Sequence, residues 1–101
     1  MTADDELTVA DAPEQSRFEL RRGGELLGVA DYRPGGRSLI IAHTEIGEGH
    51  EGEGLGSTLV GTMLDQLRAD GRTIIPLCPF TAAYVTRHPE YADVVDPSFR
   101  R

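Results

Sequence analysis

Five glycines fall within ten residues, Gly47 to Gly56, and an apolar helical pattern starts where they end. A turn this rich in glycine leaves backbone N–H groups uncovered and takes conformations closed to other residues. Leu55, Leu59, Val60, Met63, Leu64 and Leu67 then recur at mostly three- and four-residue spacing. That pattern predicts a helix with one buried face, stopped near Gly71. A helix N-terminus carries partial positive charge and unpartnered N–H groups, so the turn is a seat for phosphate or another anion. The rest of the chain must supply a sheet for the helix to cover, and any chemical groups.

Strands are legible on both sides. Arg17-Phe18-Glu19-Leu20-Arg21 alternates polar and apolar, Gly23-Gly24 turns the chain, and Glu25 to Tyr32 reads as a second strand with Leu27 and Val29 inward and Ala30 as a further inward candidate. After Pro34-Gly35-Gly36 comes the most apolar strand, Arg37 to Ile46, so three antiparallel strands form a meander. Thr73 to Leu77 returns parallel after the helix, with Pro76 suited to a sheet edge or a bulge. A second helix is predicted over Phe80 to Arg87, closed by His88-Pro89, and Tyr91, Val94, Val95 and Phe99 are candidates to fold back. Residues 1–16 are polar and acidic without periodicity and read as a mobile tail, leaving residues 17–101 as one domain. The expected fold class is α/β (α+β by some schemes), a mixed, mostly antiparallel sheet flanked by two helices.

Charge and composition narrow the function. The net charge is −7, and five acids precede Arg17, leaving twelve acids and ten bases from Arg17 onward. A chain of this sign is a poor partner for nucleic acid. All ten basic residues are Arg, which excludes a Walker-type phosphate loop and a Schiff-base lysine. One cysteine permits no internal disulfide, and no apolar run is long enough to span a bilayer, so a cytoplasmic protein without membrane partners is expected, a monomer or weak dimer.

The window Gly47-x-Gly49-x-x-Gly52 matches the dinucleotide fingerprint in letters only. The fingerprint requires a parallel unit whose second strand ends in an acid, whereas here antiparallel strands precede it and the next strand ends in Leu77-Cys78. Read from Glu51, the segment Glu51-Gly52-Glu53-Gly54-Leu55-Gly56 resembles the acyl-CoA pyrophosphate loop of the GNAT N-acetyltransferase superfamily, Gln/Arg-x-x-Gly-x-Gly/Ala. His43-Thr44-Glu45-Ile46, Pro76-Leu77-Cys78-Pro79-Phe80 and His88-Pro89-Glu90-Tyr91 resemble, in the right order, pieces of a minimal subfamily, the YjdJ-type acetyltransferase-like proteins. The resemblance spans about residues 17–95 and implies a GNAT-like fold. It also implies acetyl-CoA as co-substrate, bound by Ile46, Gly52, Glu53, Gly54, Leu55, Gly56 and Ser57, and an amine as acceptor. Glu51 stands where the superfamily has Gln or Arg and is flanked by Glu48 and Glu53. Each solvated carboxylate would oppose a pyrophosphate by about 1 kcal/mol or less, so affinity is expected to improve as salt screens the repulsion.

Four residues are candidates for chemistry. Cys78 lies where the resemblance places the thioester; it is either a small core residue or a nucleophile or pocket thiol. His43, on the neighbouring strand, is either a hydrogen-bonded core histidine or the base that serves Cys78. Glu45 shares a strand face with His43 and either deprotonates an amine, as acids there do in many GNAT enzymes, or is solvated. Tyr84 matches the position of a tyrosine that protonates the departing CoA thiolate, or packs. His50 and His88 read as surface residues. Cys78 and the three histidines contain no close ligand pair, so no metal is expected. The expected function is transfer of an acetyl group to an amine, directly or through Cys78. The alternatives are a non-catalytic acyl-CoA-binding module and an interaction domain with an unused loop.

Overall fold

The computed structural model describes residues 6–50 and 52–99. Five strands, β1 (Leu7–Ala12), β2 (Arg17–Arg22), β3 (Glu25–Gly35), β4 (Ser38–Ile46) and β5 (Thr73–Pro76), lie side by side in chain order. The first four pair antiparallel and β5 pairs parallel to β4. The crossover between β4 and β5 is helix α1 (Leu55–Ala69), and α2 (Pro79–Arg87) follows β5. Among these, β2 to β5 and both helices stand where the sequence places them. Pro76 ends the edge strand β5, where no ladder N–H is required of it.

Helix α1 buries Leu55, Leu59, Val60, Met63, Leu64 and Leu67 against the sheet. It stops as its sequence predicts. Gly71, at φ 71°, donates to Arg68 O and Arg72 donates to Leu67 O, the paired bonds of a Schellman motif. Helix α2 begins with Pro79, whose missing N–H costs nothing at that position. The Tyr84 hydroxyl rests where a side chain on Gly61 would be, 2.6 Å from an added Cβ, so the helices meet over one sheet face. Tyr91, Val94 and Val95 do fold back into the core, whereas Phe99 stays 47% exposed.

Residues 7–12, read from sequence as part of a mobile tail, form β1 instead, followed by a 3-10 turn at Pro13–Gln15. Only Val9 of this strand is buried, which is too little apolar signal for a local pattern. What holds it is the ladder to β2 together with two long-range bonds: Tyr32 donates to Asp11 at 2.6 Å and Gln66 donates to Val9 O at 2.7 Å. The meander therefore has four strands. Residues 1–5 lie outside the described residues.

Two bulges reset which side chains face the helices. Leu20 pairs with Gly28 and Arg21 with Leu26, leaving Leu27 as an extra residue in β3. Ala30 is buried as a result, and Val29, expected inward, turns to the outer face. Asp31 pairs with His43 and Tyr32 with Ile41, leaving Ala42 as the extra residue in β4. Beyond it, Thr44 stands in an inner row with Phe18 and Ala30, and His43 in an outer row with Arg17 and Asp31.

Candidate active site

Strands β4 and β5 stay paired only from Ser38–Thr73 to Ile41–Pro76. Cys78 N then donates to Ile41 O at 2.9 Å, and among the described residues no strand pairs β4 from His43 to Ile46 on its β5 side. The sheet thus opens at the carboxyl ends of two parallel strands, where ligands enter α/β sheets in general. The glycine turn sits at one border of this opening and Cys78 at the other.

The turn leaves β4 through Gly47, which donates to Leu27 O at 2.7 Å. The Ile46 side chain lies over Gly28, its Cδ1 only 2.6 Å from where a Cβ would stand. Gly54 is the N-cap of α1 in the left-handed region (φ 75°, ψ 13°), no side chain caps the helix, and its first turn holds no acid. The N–H groups of Leu55, Gly56 and Ser57 precede the first intrahelical bond, donated by Thr58 to Gly54 O at 3.2 Å, and are free for an anion. Glu53, one of the carboxylates expected beside that anion, lies 3.5 Å from His50 Nδ1, which makes no hydrogen bond among the described residues, while His50 Nε2 is 3.7 Å from Glu25. His50, read as a surface residue, is thus wedged between the β2–β3 turn and the glycine turn. Glu51 lies outside the described residues.

At the other border Cys78 is the N-cap of α2 and only 4% exposed. Its thiol donates to Thr44 Oγ1 at 3.5 Å, and Thr44 Oγ1 is 3.4 Å from the fully buried Thr81 hydroxyl. Burial pushes the thiol up, but hydrogen bonds from Thr44, the backbone of Thr81 and Phe80, and the Thr81 side chain outweigh it, and the net shift is below the ordinary thiol value.

The structure does not bring His43 to Cys78. Alternation from Leu39 and Ile41 would carry His43 inward, and the Ala42 bulge reverses the phase, so Thr44 takes that position. His43 and Glu45 share the outer face, as expected, with Nε2 3.5 Å from Oε1 and side chains 59% and 69% exposed. Tyr84 is buried against Gly61 with its ring stacked on His88 at 4.1 Å, so its hydroxyl faces α1 rather than Cys78. Burial and the charges of Asp65 and Glu90 raise its pKa. Sequence reasoning missed Thr44, Thr81 and Phe80 as site residues. A cavity of about 570 Å³ lies elsewhere, between Ala82 and Val85 of α2 and Ala92 and Phe99 of the C-terminal segment, and holds none of the candidate catalytic residues.

A sheet opened beside an uncapped, glycine-led helix agrees with an acetyltransferase type of fold. The chain belongs to the GCN5-related N-acetyl-transferase family, which it matches over residues 17–94. Its fold is similar to the NMR solution structure of a GCN5-like protein from Staphylococcus aureus. The TM-score is 0.66 at 21% identity, covering 94% of this chain and 91% of that one. No curated protein matches the chain.

Proposed function

We propose that this chain binds acetyl-CoA and passes its acetyl group to an amine. The observation that carries this reading is that the free N–H groups of α1 and the Cys78 thiol border the same opening in the sheet. The pyrophosphate sits on the N–H groups of Gly54, Leu55, Gly56 and Ser57, with Gly52, Glu53 and Ile46 around it, and the thioester lies towards Cys78. The setting of Cys78 favours a covalent route. Its thiolate attacks the acetyl carbonyl carbon, unpaired N–H groups on the free edge of β4 meet the developing oxyanion, and the bond to the CoA sulfur breaks. The departing CoA thiolate takes a proton from water. An amine then attacks the cysteine thioester, gives its proton to His43 or Glu45 on the outer face, and releases Cys78 as a thiolate.

Acetyl-CoA is expected to shift the backbone amide NMR signals of Gly52 to Ser57; unmoved signals there overturn the reading. Binding without CoA release across a panel of small amines, and without an acetyl adduct by intact mass, would identify a non-catalytic acyl-CoA-binding module. Affinity that falls steeply with added salt would refute the opposing role of Glu48 and Glu51.

A further inference from the structure

Gly56 differs from the glycines before it. Gly49, Gly52 and Gly54 have left-handed φ and open space where a Cβ would stand. Gly56 sits in ordinary helix, and a Cβ there would meet the Phe80 ring at 2.7, 3.2 and 3.3 Å. The need at this position is steric, and the neighbour that creates it is on the other helix. Phe80 remains 39% exposed although its ring tip rests on α1. Its backbone stands in the first turn of α2, two residues after the N-cap Cys78. One residue therefore links both borders of the opening, with its ring on the first turn of α1 and its backbone in the turn that Cys78 opens.

We propose that Phe80 is a binding residue for the extended arm that joins the pyrophosphate of the acyl carrier to its thioester, and that Gly56 is glycine in order to seat the Phe80 ring. This rests on the acetyl-CoA reading, which puts the pyrophosphate on α1 and the thioester at Cys78. The arm must then cross the span that Phe80 bridges. An aromatic face left partly exposed there gives the methyl and methylene groups of the arm an apolar surface that the rest of the acidic, glycine-rich turn lacks. Alanine at position 56 would push the ring aside, which an exposed side chain can do at little cost in stability. The change would register in binding of the arm rather than in folding.

The test uses ADP, which carries the pyrophosphate without the arm, and CoA, which carries both, each titrated against the full chain and followed at the amides of Gly52 to Ser57. Phe80→Ala is expected to weaken CoA by about tenfold, the scale of one aromatic contact, and to leave ADP unchanged. Gly56→Ala should also weaken CoA, and the double variant should lose no more CoA affinity than the more affected single one, because both act on the arm through one ring. If Phe80→Ala weakens both ligands equally, or neither, the arm does not use the ring. If Gly56→Ala weakens CoA further in the Phe80→Ala background, Gly56 acts independently of the ring and the seating role is wrong. Wild-type amides that respond to neither ligand overturn the acetyl-CoA reading itself, an outcome separate from the other two.

Discussion

His43 and Thr44 are neighbours in the chain and sit in opposite chemical worlds. His43, with Glu45, stands on the outer face of β4, solvated and beside Asp31. Thr44 stands on the inner face among core side chains and holds the Cys78 thiol against Thr81. The same strand thus separates a dry thiol site from a wet acid–base pair, and the opening between β4 and β5 is where the two can meet. The difference teaches that the surroundings of the Cys78 thiol include Thr44 and not the His43 imidazole. Its surroundings are hydroxyls and the N-terminal amides of α2.

The sharpest way to break this contrast is by deletion on each side. Cys78→Ala should abolish the acetyl adduct seen by intact mass after incubation with acetyl-CoA. His43→Ala should leave that adduct in place and slow its amine-dependent discharge by about 100-fold, the ordinary scale of a lost general base. An adduct that vanishes with His43 would unite the two faces and refute the separation. Stability should divide the same way. Ile41→Ala, fully buried on the inner face, is expected to cost about 2–5 kcal/mol in denaturant unfolding, and Glu45→Ala about 0.5 kcal/mol or less.

The faces should also fail at opposite ends of the pH scale. On the inner side Tyr32 is pushed up to about 12, by burial and then by its bond to Asp11. Tyr91 reaches about 12 through its bond to Asp65 and then burial. A raised folded-state value means stabilisation that is full below the unfolded value of 10.0 and lost as pH rises from there towards 12. The loss is on the order of 2 kcal/mol for each phenol. On the outer side the hydrogen bonds of Arg17 and then Arg21 hold Glu19 below its ordinary 4.5. That support is present above 4.5 and lost as pH falls. Thermal unfolding of Tyr91→Phe should decline less than wild type above pH 10, and Glu19→Gln should decline less in acid. The reverse pattern would contradict the assignment of these groups to the two faces.

Much of this was legible in advance because it is local. The apolar spacing of α1, the Gly71 stop and the glycine turn each follow from a few adjacent residues. What escaped depends on distant partners. Strand β1 shows one buried side chain and is fixed by Tyr32 and Gln66, which lie 21 and 57 positions away. The Ala42 bulge exchanges His43 for Thr44 at the thiol, and strict alternation from Ile41 points the other way. Phe80 read as one apolar position on a short helix, because its contact with Gly56 joins two helix termini that only the sheet brings together.

The smallest predicted effect probes that exchange most directly. Thr44 is an inner-face side chain of β4 hydrogen-bonded to Cys78, and its hydroxyl stabilises the thiolate by donating where it accepts from the thiol. Thr44→Val keeps the shape and removes the donor, so the thiol titration should move up. Thr44→Ser should restore it, because the donor returns without the methyl group. The chain has a single cysteine, so one Cβ-labelled NMR signal reports the midpoint without assignment and needs no access for a reagent. His43→Ala should leave the midpoint in place, since solvent screens an exposed imidazole on the far face. A midpoint that follows His43 and ignores Thr44 would reverse the roles of the two neighbours.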